Sequence, residues 1–258
     1  MKRAGVVALN TFREAVRDRV LYSLVFFALL MMAAAVLVGQ ISIGIEEIVI
    51  VNLGLTAISV VGLLIALFIG VGLVYKEMDK RTLHALLATP VRRWEFLLGK
   101  FGGLVLTLAV ITSAMGAGLF LVLGYVGQTP AGVKFAVVVA VYFILLKLAL
   151  VVALAMLFSC FASPLLSILM TAGLYVAGLF APQMRTYHSL TSAPRLEALM
   201  KAISYLLPNF SNFDVMAAAA HGGAIPAGLI ELNTLYTVLY CLVLVLTAAV
   251  VFSRRDLK

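Results

Sequence analysis

The side chains that most often carry out catalysis are few and scattered in this sequence. It has three histidines and two cysteines, which are His84, His188, His221, Cys160 and Cys241. Their spacing is not typical of a zinc site or of a disulfide framework. The G-x-x-x-x-G-K-[ST] phosphate loop is also missing, as are the H-E-x-x-H and G-x-S-x-G motifs of hydrolases. We therefore expect no catalytic site, no metal site and no ATP-hydrolysing site of its own.

One lysine stands in the middle of a long apolar run. Lys147 is about twelve residues from either end of Phe135–Phe158, which is roughly 18 Å along a helix. A lysine side chain cannot reach the membrane surface from that depth without helix tilt or local thinning of the bilayer. We interpret Lys147 as a candidate cation of a translocation pathway. The alternatives are a structural lysine satisfied inside the bundle, or a misplaced end of the run.

The partner of Lys147 is left open by the sequence. No Asp or Glu occupies a comparable depth in any apolar run. The partner is therefore a backbone carbonyl, a Ser or Tyr hydroxyl, a carboxylate from an outer loop, or an anionic substrate. A further alternative is that Lys147 is uncharged, because burial favours the neutral amine. The same lack of buried carboxylates disfavours a proton-driven transporter, which usually carries an Asp or Glu relay.

The densest mixture of charges lies in Tyr75–Lys100, between two apolar runs. Thr82 is a good N-cap for a short helix over Leu83–Ala88, and Pro90 predicts its end. A helix of two turns is too short to be stable alone in water. We therefore expect it to dock on another surface.

The two faces of this short helix differ. One face is apolar and consists of Leu83, Leu86 and Leu87, while cations flank the helix at Lys80, Arg81, Arg92 and Arg93. Docking on a cytoplasmic protein partner and resting on lipid headgroups, with Trp94 as an interfacial anchor, remain equal alternatives.

The composition explains why such a polar segment stands out. Of the 258 residues, 64% are hydrophobic and 12% are charged, whereas soluble domains carry about 25% charged residues. The excess of apolar side chains requires a bilayer as solvent. The net charge of +8 is better explained by cationic cytoplasmic loops than by nucleic-acid binding. With no polar linker, residues 1–258 form one membrane domain.

Six apolar runs are long enough, or nearly so, to cross a bilayer as helices. They are Val20–Val38, Ile48–Val74, Phe101–Tyr125, Phe135–Phe158, Leu165–Ala181 and Leu235–Phe252. The sequence therefore predicts an all-α integral membrane protein with six transmembrane helices. We expect the first run to be a retained span rather than a cleaved signal peptide, because a long charged region precedes it.

The distribution of Lys and Arg predicts the orientation. Three cationic groups fall on one side of six spans: residues 2–19, residues 76–100 and residues 254–258. We therefore expect both termini in the cytoplasm. Residues 1–19 have helical period, with an apolar face of Ala8, Leu9, Phe12, Ala15 and Val16. This pattern favours a helix lying at the membrane interface over a simple extension of the first span.

Residues 183–233 form the longest connection between two spans, the fifth and the sixth, and are expected on the extracytoplasmic side of the membrane. Arg195–Leu207 has apolar residues at helical spacing, and Pro208 ends that pattern. We expect short helices that lie on, or dip into, the outer leaflet, with an ordinary loop as the alternative. Elsewhere, Gly99 and Gly103 form a G-x-x-x-G motif, which we interpret as packing within the chain rather than as a dimer seam.

The segment from Glu77 to Lys100 resembles the loop between the second and third spans of type-2 ABC exporter permeases. The matching residues are Glu77, Lys80, Arg81, Thr82, Leu86, Leu87, Pro90, Arg93, Gly99 and Lys100. The N-terminal helix, the six spans and the run Leu207-Pro208-Asn209-Phe210-x-x-Phe213-Asp214 are similar to that family too. Arg81 stands where many members have glycine, and Lys80-Arg81-Thr82 resembles the branch that includes the NosY-type permeases of copper-enzyme maturation.

The resemblance implies a transport subunit of a prokaryotic plasma membrane. Such permeases pair, usually as a homodimer, and bind two nucleotide-binding subunits that hold ATP and Mg²⁺. The short helix would be a coupling helix, with Leu83, Leu86 and Leu87 in a groove of the ATPase and Glu77, Lys80, Arg81 and Arg93 as polar contacts. An extracytoplasmic accessory protein is a further partner. Alternative functions are a secondary transporter or channel, and a non-transporting anchor or mechanotransmitter for a cytoplasmic ATPase.

Overall fold

The structure is a computed structural model that describes residues 2–42, 44–79, 93–126, 130–183, 202, 207–223 and 225–254. Every regular element within these ranges is a helix. The helices are α1 (Lys2–Val16), α2 (Arg19–Ile41), α3 (Glu46–Asp79), α4 (Arg93–Val126), α5 (Ala131–Ser159), α6 (Pro164–Leu179), a 3-10 turn (Phe210–Phe213), α7 (Met216–Ala220) and α8 (Ala227–Arg254).

Five of these helices are long and apolar enough to cross a membrane. The crossing segments are Leu21–Ile41, Glu46–Gly72, Trp94–Val126, Ala131–Ser159 and Ala227–Phe252. They confirm that five of the six predicted runs are helices of spanning length. The remaining run forms α6, an apolar helix of 16 residues, or about 24 Å. It is shorter than the hydrocarbon core of a bilayer, which is about 30 Å thick.

Local chemistry explains where these helices begin. Gly44 has a φ of +83° in the turn between α2 and α3, a conformation that disfavours residues with a Cβ atom. The first turn of α3 carries Glu46 and Glu47, whose charges favour the positive end of the helix dipole. Ser163 is extended and Pro164 occupies the first turn of α6, where a missing N–H costs nothing.

The α5 helix is the centre of the bundle. In its most apolar stretch of 18 residues, 72% of the residues are buried, whereas the corresponding shares are 22% in α2 and 28% in α8. It contacts α3, α4, α6 and α8. Lys147, on the buried part of α5, is therefore enclosed by protein rather than by lipid.

The α1 helix packs against the first turns of α4 through the G-x-x-x-G motif. A Cβ atom on Gly99 would lie 2.7 Å from the carbonyl oxygen of Ala4, and one on Gly103 would lie 2.5 Å from that of Ala8. The two glycines therefore form a groove that admits the backbone of α1. The motif packs the chain against itself, as the sequence interpretation favoured.

The face that α1 turns towards α4 coincides only in part with its predicted apolar face. Leu9 is 47% exposed, whereas Thr11 and Ala15 are 2% and 0% exposed. The glycines of α4 admit the backbone of Ala8 and the side chains of Val7 and Thr11, because a groove without side chains allows close approach. That α1 lies at the membrane interface stays a prediction.

Two adjacent glycines of α4 provide a matched test of this groove. We expect Gly103→Ala to lower the free energy of unfolding by about 1–3 kcal/mol, because the added methyl group meets backbone atoms of α1. Gly102→Ala should be neutral or stabilising, since its Cβ would meet only the Ala8 methyl group at 3.9 Å and alanine favours helix. Thermal unfolding of the purified variants in detergent measures the difference. Equal effects of the two substitutions would contradict the groove.

Candidate functional site

The predicted coupling segment lies mostly outside the described residues. This applies to Lys80, Arg81, Thr82, Leu83, Leu86, Leu87 and Pro90. Glu77 lies in the last turn of α3 and Arg93 begins α4, and the structure describes only their backbone. Since α1 packs on the first turns of α4, residues 80–92 connect two helices at the same end of the bundle as α1. We call this end of the bundle the α1 end. The opposite end is called the wedge end, after the inserted segment described below.

Lys147 is enclosed near the middle of α5. Its amine donates a hydrogen bond of 2.7 Å to the Ser59 hydroxyl on α3. Lys147 is 4% exposed and Ser59 is 7% exposed. A serine hydroxyl was among the partners that the sequence left open. Ser59 itself was missed, and the available signal was that Ser59 and Thr56 are the two hydroxyl residues within the apolar run Ile48–Val74.

A short segment from the long link inserts into the wedge end of the bundle. We call residues Leu207–Gly223 the wedge; they contain the 3-10 turn and α7. Its two phenylalanines, Phe210 and Phe213, are 0% and 1% exposed. Phe210 lies 5.0 Å from the ring centre of Tyr175 on α6, and Phe213 packs edge-on against Phe143 on α5 at 6.4 Å. These aromatic contacts hold the wedge inside the bundle.

Hydrogen bonds from α8 fix the backbone of the wedge. The backbone N–H of Asn209 donates to the Tyr236 hydroxyl at 3.0 Å. The side-chain amide of Asn233 donates to the backbone carbonyl oxygen of Asn212 at 3.0 Å. A non-helical segment at membrane depth must satisfy its polar groups with protein partners. Asn233 and Tyr236 meet part of that requirement.

The end of α6 is shaped to receive the wedge. A Cβ atom on Gly178 would collide with the carbonyl oxygen of Pro208 and would lie 2.6 Å from the Phe210 ring. By contrast, a Cβ atom on Gly173, on the same helix, would meet no atom within 4 Å. Glycine at 178 therefore allows a backbone approach that other residues would block, and the wedge fills the space above the short α6.

The wedge reaches close to the level of Lys147. Phe143, which contacts Phe213, is one helical turn from Lys147 on α5. Thr56, which lies 4.0 Å from the Met216 sulfur, is one turn from Ser59 on α3. The wedge therefore lies directly above the Lys147–Ser59 hydrogen bond, on the side of the wedge end.

Asp214 brings a carboxylate to this region. It follows Phe213 and lies two residues before Met216, and its side chain is exposed. Its charge acts electrostatically on Lys147 and on the Tyr175 hydroxyl. Within the described ranges there is no direct salt bridge between Asp214 and Lys147. A carboxylate from the outer loop was among the predicted partners, but its position relative to Lys147 was not predicted.

The described ranges contain no group of three or more His, Cys, Asp or Glu residues able to hold a metal ion. The two cysteines are buried and are not joined in a disulfide. The arrangement is a buried lysine amine, a hydroxyl partner and a nearby carboxylate, which can bind or repel charge. Together with five helices of spanning length, it defines a multi-pass membrane protein with a polar centre.

A family comparison assigns the class. The chain belongs to the family described as ABC-2 family transporter protein, whose sequence profile matches residues 6–257. No curated protein matches the chain closely enough to add a relative. The family is one of membrane permease subunits, which are generally non-catalytic and work with an ATPase partner.

Proposed function

We propose that this chain is the permease subunit of an ATP-driven ABC exporter. The family match over residues 6–257 carries the proposal. It is supported by the missing phosphate loop, which leaves ATP hydrolysis to another chain. ATP and Mg²⁺ bind to that ATPase partner, and this chain supplies the pathway. Two permease copies and two ATPase subunits form the transporter, with a homodimer as the simplest arrangement.

The coupling segment is the site where the ATPase acts. Its position between α3 and α4, beside α1, is compatible with a surface at one end of the bundle. We propose that the helix Leu83–Ala88 seats Leu86 and Leu87 in a groove of the ATPase. The polar contacts are Glu77, Lys80, Arg81 and Arg93. Closure of the ATPases on ATP would then move α3 and α4 together.

The orientation follows from charge. The α1 end carries Lys and Arg in residues 2–19 and 76–100, and such loops stay in the cytoplasm. We propose that α1 lies at the inner interface of a prokaryotic plasma membrane and that the wedge faces outward. The wedge end is then where an extracytoplasmic accessory protein would bind.

The polar centre is proposed to line the pathway. A lysine buried at this depth is costly in a bilayer and is retained mainly where it serves a function. Lys147 would face the substrate when the bundle opens. The run Lys80-Arg81-Thr82 favours the NosY-like branch, although the branch does not identify the substrate.

Purification of the complex tests the proposed function. The tagged chain is extracted from its native membranes in mild detergent and its partners are identified by mass spectrometry. We expect a phosphate-loop ATPase in equal amount and Mg²⁺-dependent ATP hydrolysis by the complex, because the permease stabilises the ATPase pair. A purified chain that transports in liposomes without any ATPase would overturn the proposal.

A further inference from the structure

The hydrogen bond with Ser59 satisfies only part of the bonding capacity of Lys147. An ammonium group has three N–H donors, and Lys147 makes one described hydrogen bond, to a neutral hydroxyl. A buried ammonium group without a partner of opposite sign is costly, and burial favours the neutral amine. A negative charge nearby would therefore be needed to keep Lys147 protonated.

Asp214 is in position to provide that charge. Phe213 and Met216, on either side of it, contact Phe143 and Thr56. These two residues are one turn above Lys147 on α5 and one turn above Ser59 on α3. The Asp214 carboxylate accepts a hydrogen bond of 3.4 Å from the Met216 backbone N–H. It therefore lies at the start of α7, beside the residue that contacts Thr56, and its charge acts on the Lys147 amine at longer range.

The surface of the wedge that carries Asp214 does not suit contact with lipid. The 3-10 turn buries both phenylalanines and leaves Asn212 and Asp214 exposed. The segment around Asp214 contacts Phe143 and Thr56, about one turn of helix from the Lys147–Ser59 pair, and an exposed carboxylate at that level would be costly against acyl chains. This surface therefore borders water or polar groups, and Asp214 lies between an aqueous space and the buried amine.

We propose that Asp214 is the counter-charge of Lys147 and that their attraction holds the wedge as a plug over the polar centre. The plug itself is a property of the folded chain. Its role as the outer gate of transport rests on the proposed function. Neutralising either charge weakens the attraction, and the wedge then exposes Ser59 more often.

A cysteine at position 59 reports opening of the plug. Ser59→Cys is made with Cys160→Ser and Cys241→Ala, and the full-length protein is placed in lipid nanodiscs, where both faces are accessible. Labelling by a charged, membrane-impermeant maleimide is then timed without ATP or ATPase. We expect slow labelling, and an increase of about fivefold or more with Asp214→Asn or with Lys147→Met, because local opening becomes less costly.

Two comparisons separate a charge interaction from general loosening. Asp214→Asn combined with Lys147→Met should label no faster than either single variant, because interacting residues have non-additive effects. Asp214→Glu keeps the charge and should label slowly. Glu231→Gln removes an exposed carboxylate of α8 at the same end and should leave the rate unchanged.

Several results would overturn the proposal. These are fast labelling with both charges present, additive effects of the two neutral substitutions, or an equal increase with Glu231→Gln. Because no ATPase is present, failure of the proposed exporter function would not change the labelling. Conversely, a plug that proves independent of both charges would leave the exporter function untouched.

Discussion

Replacing Leu86 and Leu87 together with aspartate is expected to abolish association of the ATPase with this chain. The two leucines form most of the apolar face of the proposed coupling helix, and a few apolar residues commonly carry most of the energy of an interface. Burying a carboxylate in an apolar groove without a partner costs several kcal/mol. We expect the amount of co-purified ATPase to fall by about tenfold or more, which corresponds to a loss of ~1.4 kcal/mol or more.

A matched variant separates docking from folding. Leu86→Met with Leu87→Met preserves volume and apolarity, so the ATPase should be retained. Membrane insertion and the elution profile of the aspartate variant should match those of the unmodified chain, because position 86 lies between two apolar runs of the sequence. Normal recovery of the ATPase with the aspartate variant would show that the helix does not dock there.

Lys147→Met is expected to abolish transport while leaving the complex assembled. Methionine keeps most of the length and volume of lysine and removes its charge. Because the Asp214 side chain is exposed, the substitution does not leave a buried carboxylate without a partner, and assembly should be retained. We expect complementation of a strain lacking this gene to fall by about tenfold or more, since a pathway cation cannot be replaced by a thioether. Recovery of the ATPase with the variant should be normal.

A second lysine of α5 is the control for this substitution. Lys134 lies in the first turn of the helix and is partly exposed, so Lys134→Met should support growth normally. A Lys147→Met variant that assembles normally and complements fully would exclude Lys147 from the pathway. Loss of both growth and ATPase recovery would indicate a structural role instead.

The spans could be predicted from the sequence because each is a local property. An apolar run of sufficient length must form a helix in a bilayer, since no other element satisfies its backbone there. Five runs confirm this reasoning, and the shortest one became α6. The close approach permitted by Gly99 and Gly103 was also readable, because the spacing itself creates a groove.

Features that depend on tertiary contacts could not be predicted in the same way. The face of α1 that contacts α4 could not be predicted, because the groove on α4, rather than hydrophobicity, selects the contacting side chains. The pairing of Ser59 with Lys147 joins two helices that are far apart in sequence. The depth of the wedge is determined by Gly178 and by aromatic contacts from three helices, which no local pattern reveals.

The two ends of the molecule have different proposed roles. At the α1 end, the link between α3 and α4 is proposed to receive motion from the ATPase. The same α3 carries Thr56 and Ser59, which contact the wedge and Lys147. A shift of α3 would therefore reach the polar centre and the plug directly, because one continuous helix joins them.

The most direct test of the central claim is photo-crosslinking from the coupling segment. A benzophenone amino acid is placed at Leu87 in one variant and, as a control, at Leu121, which is 76% exposed on α4 towards the wedge end. If the chain is driven by a separate ATPase, irradiation of native membranes will join position 87, and not position 121, to a phosphate-loop ATPase. The absence of that adduct, or equal yields from both positions, would contradict the account.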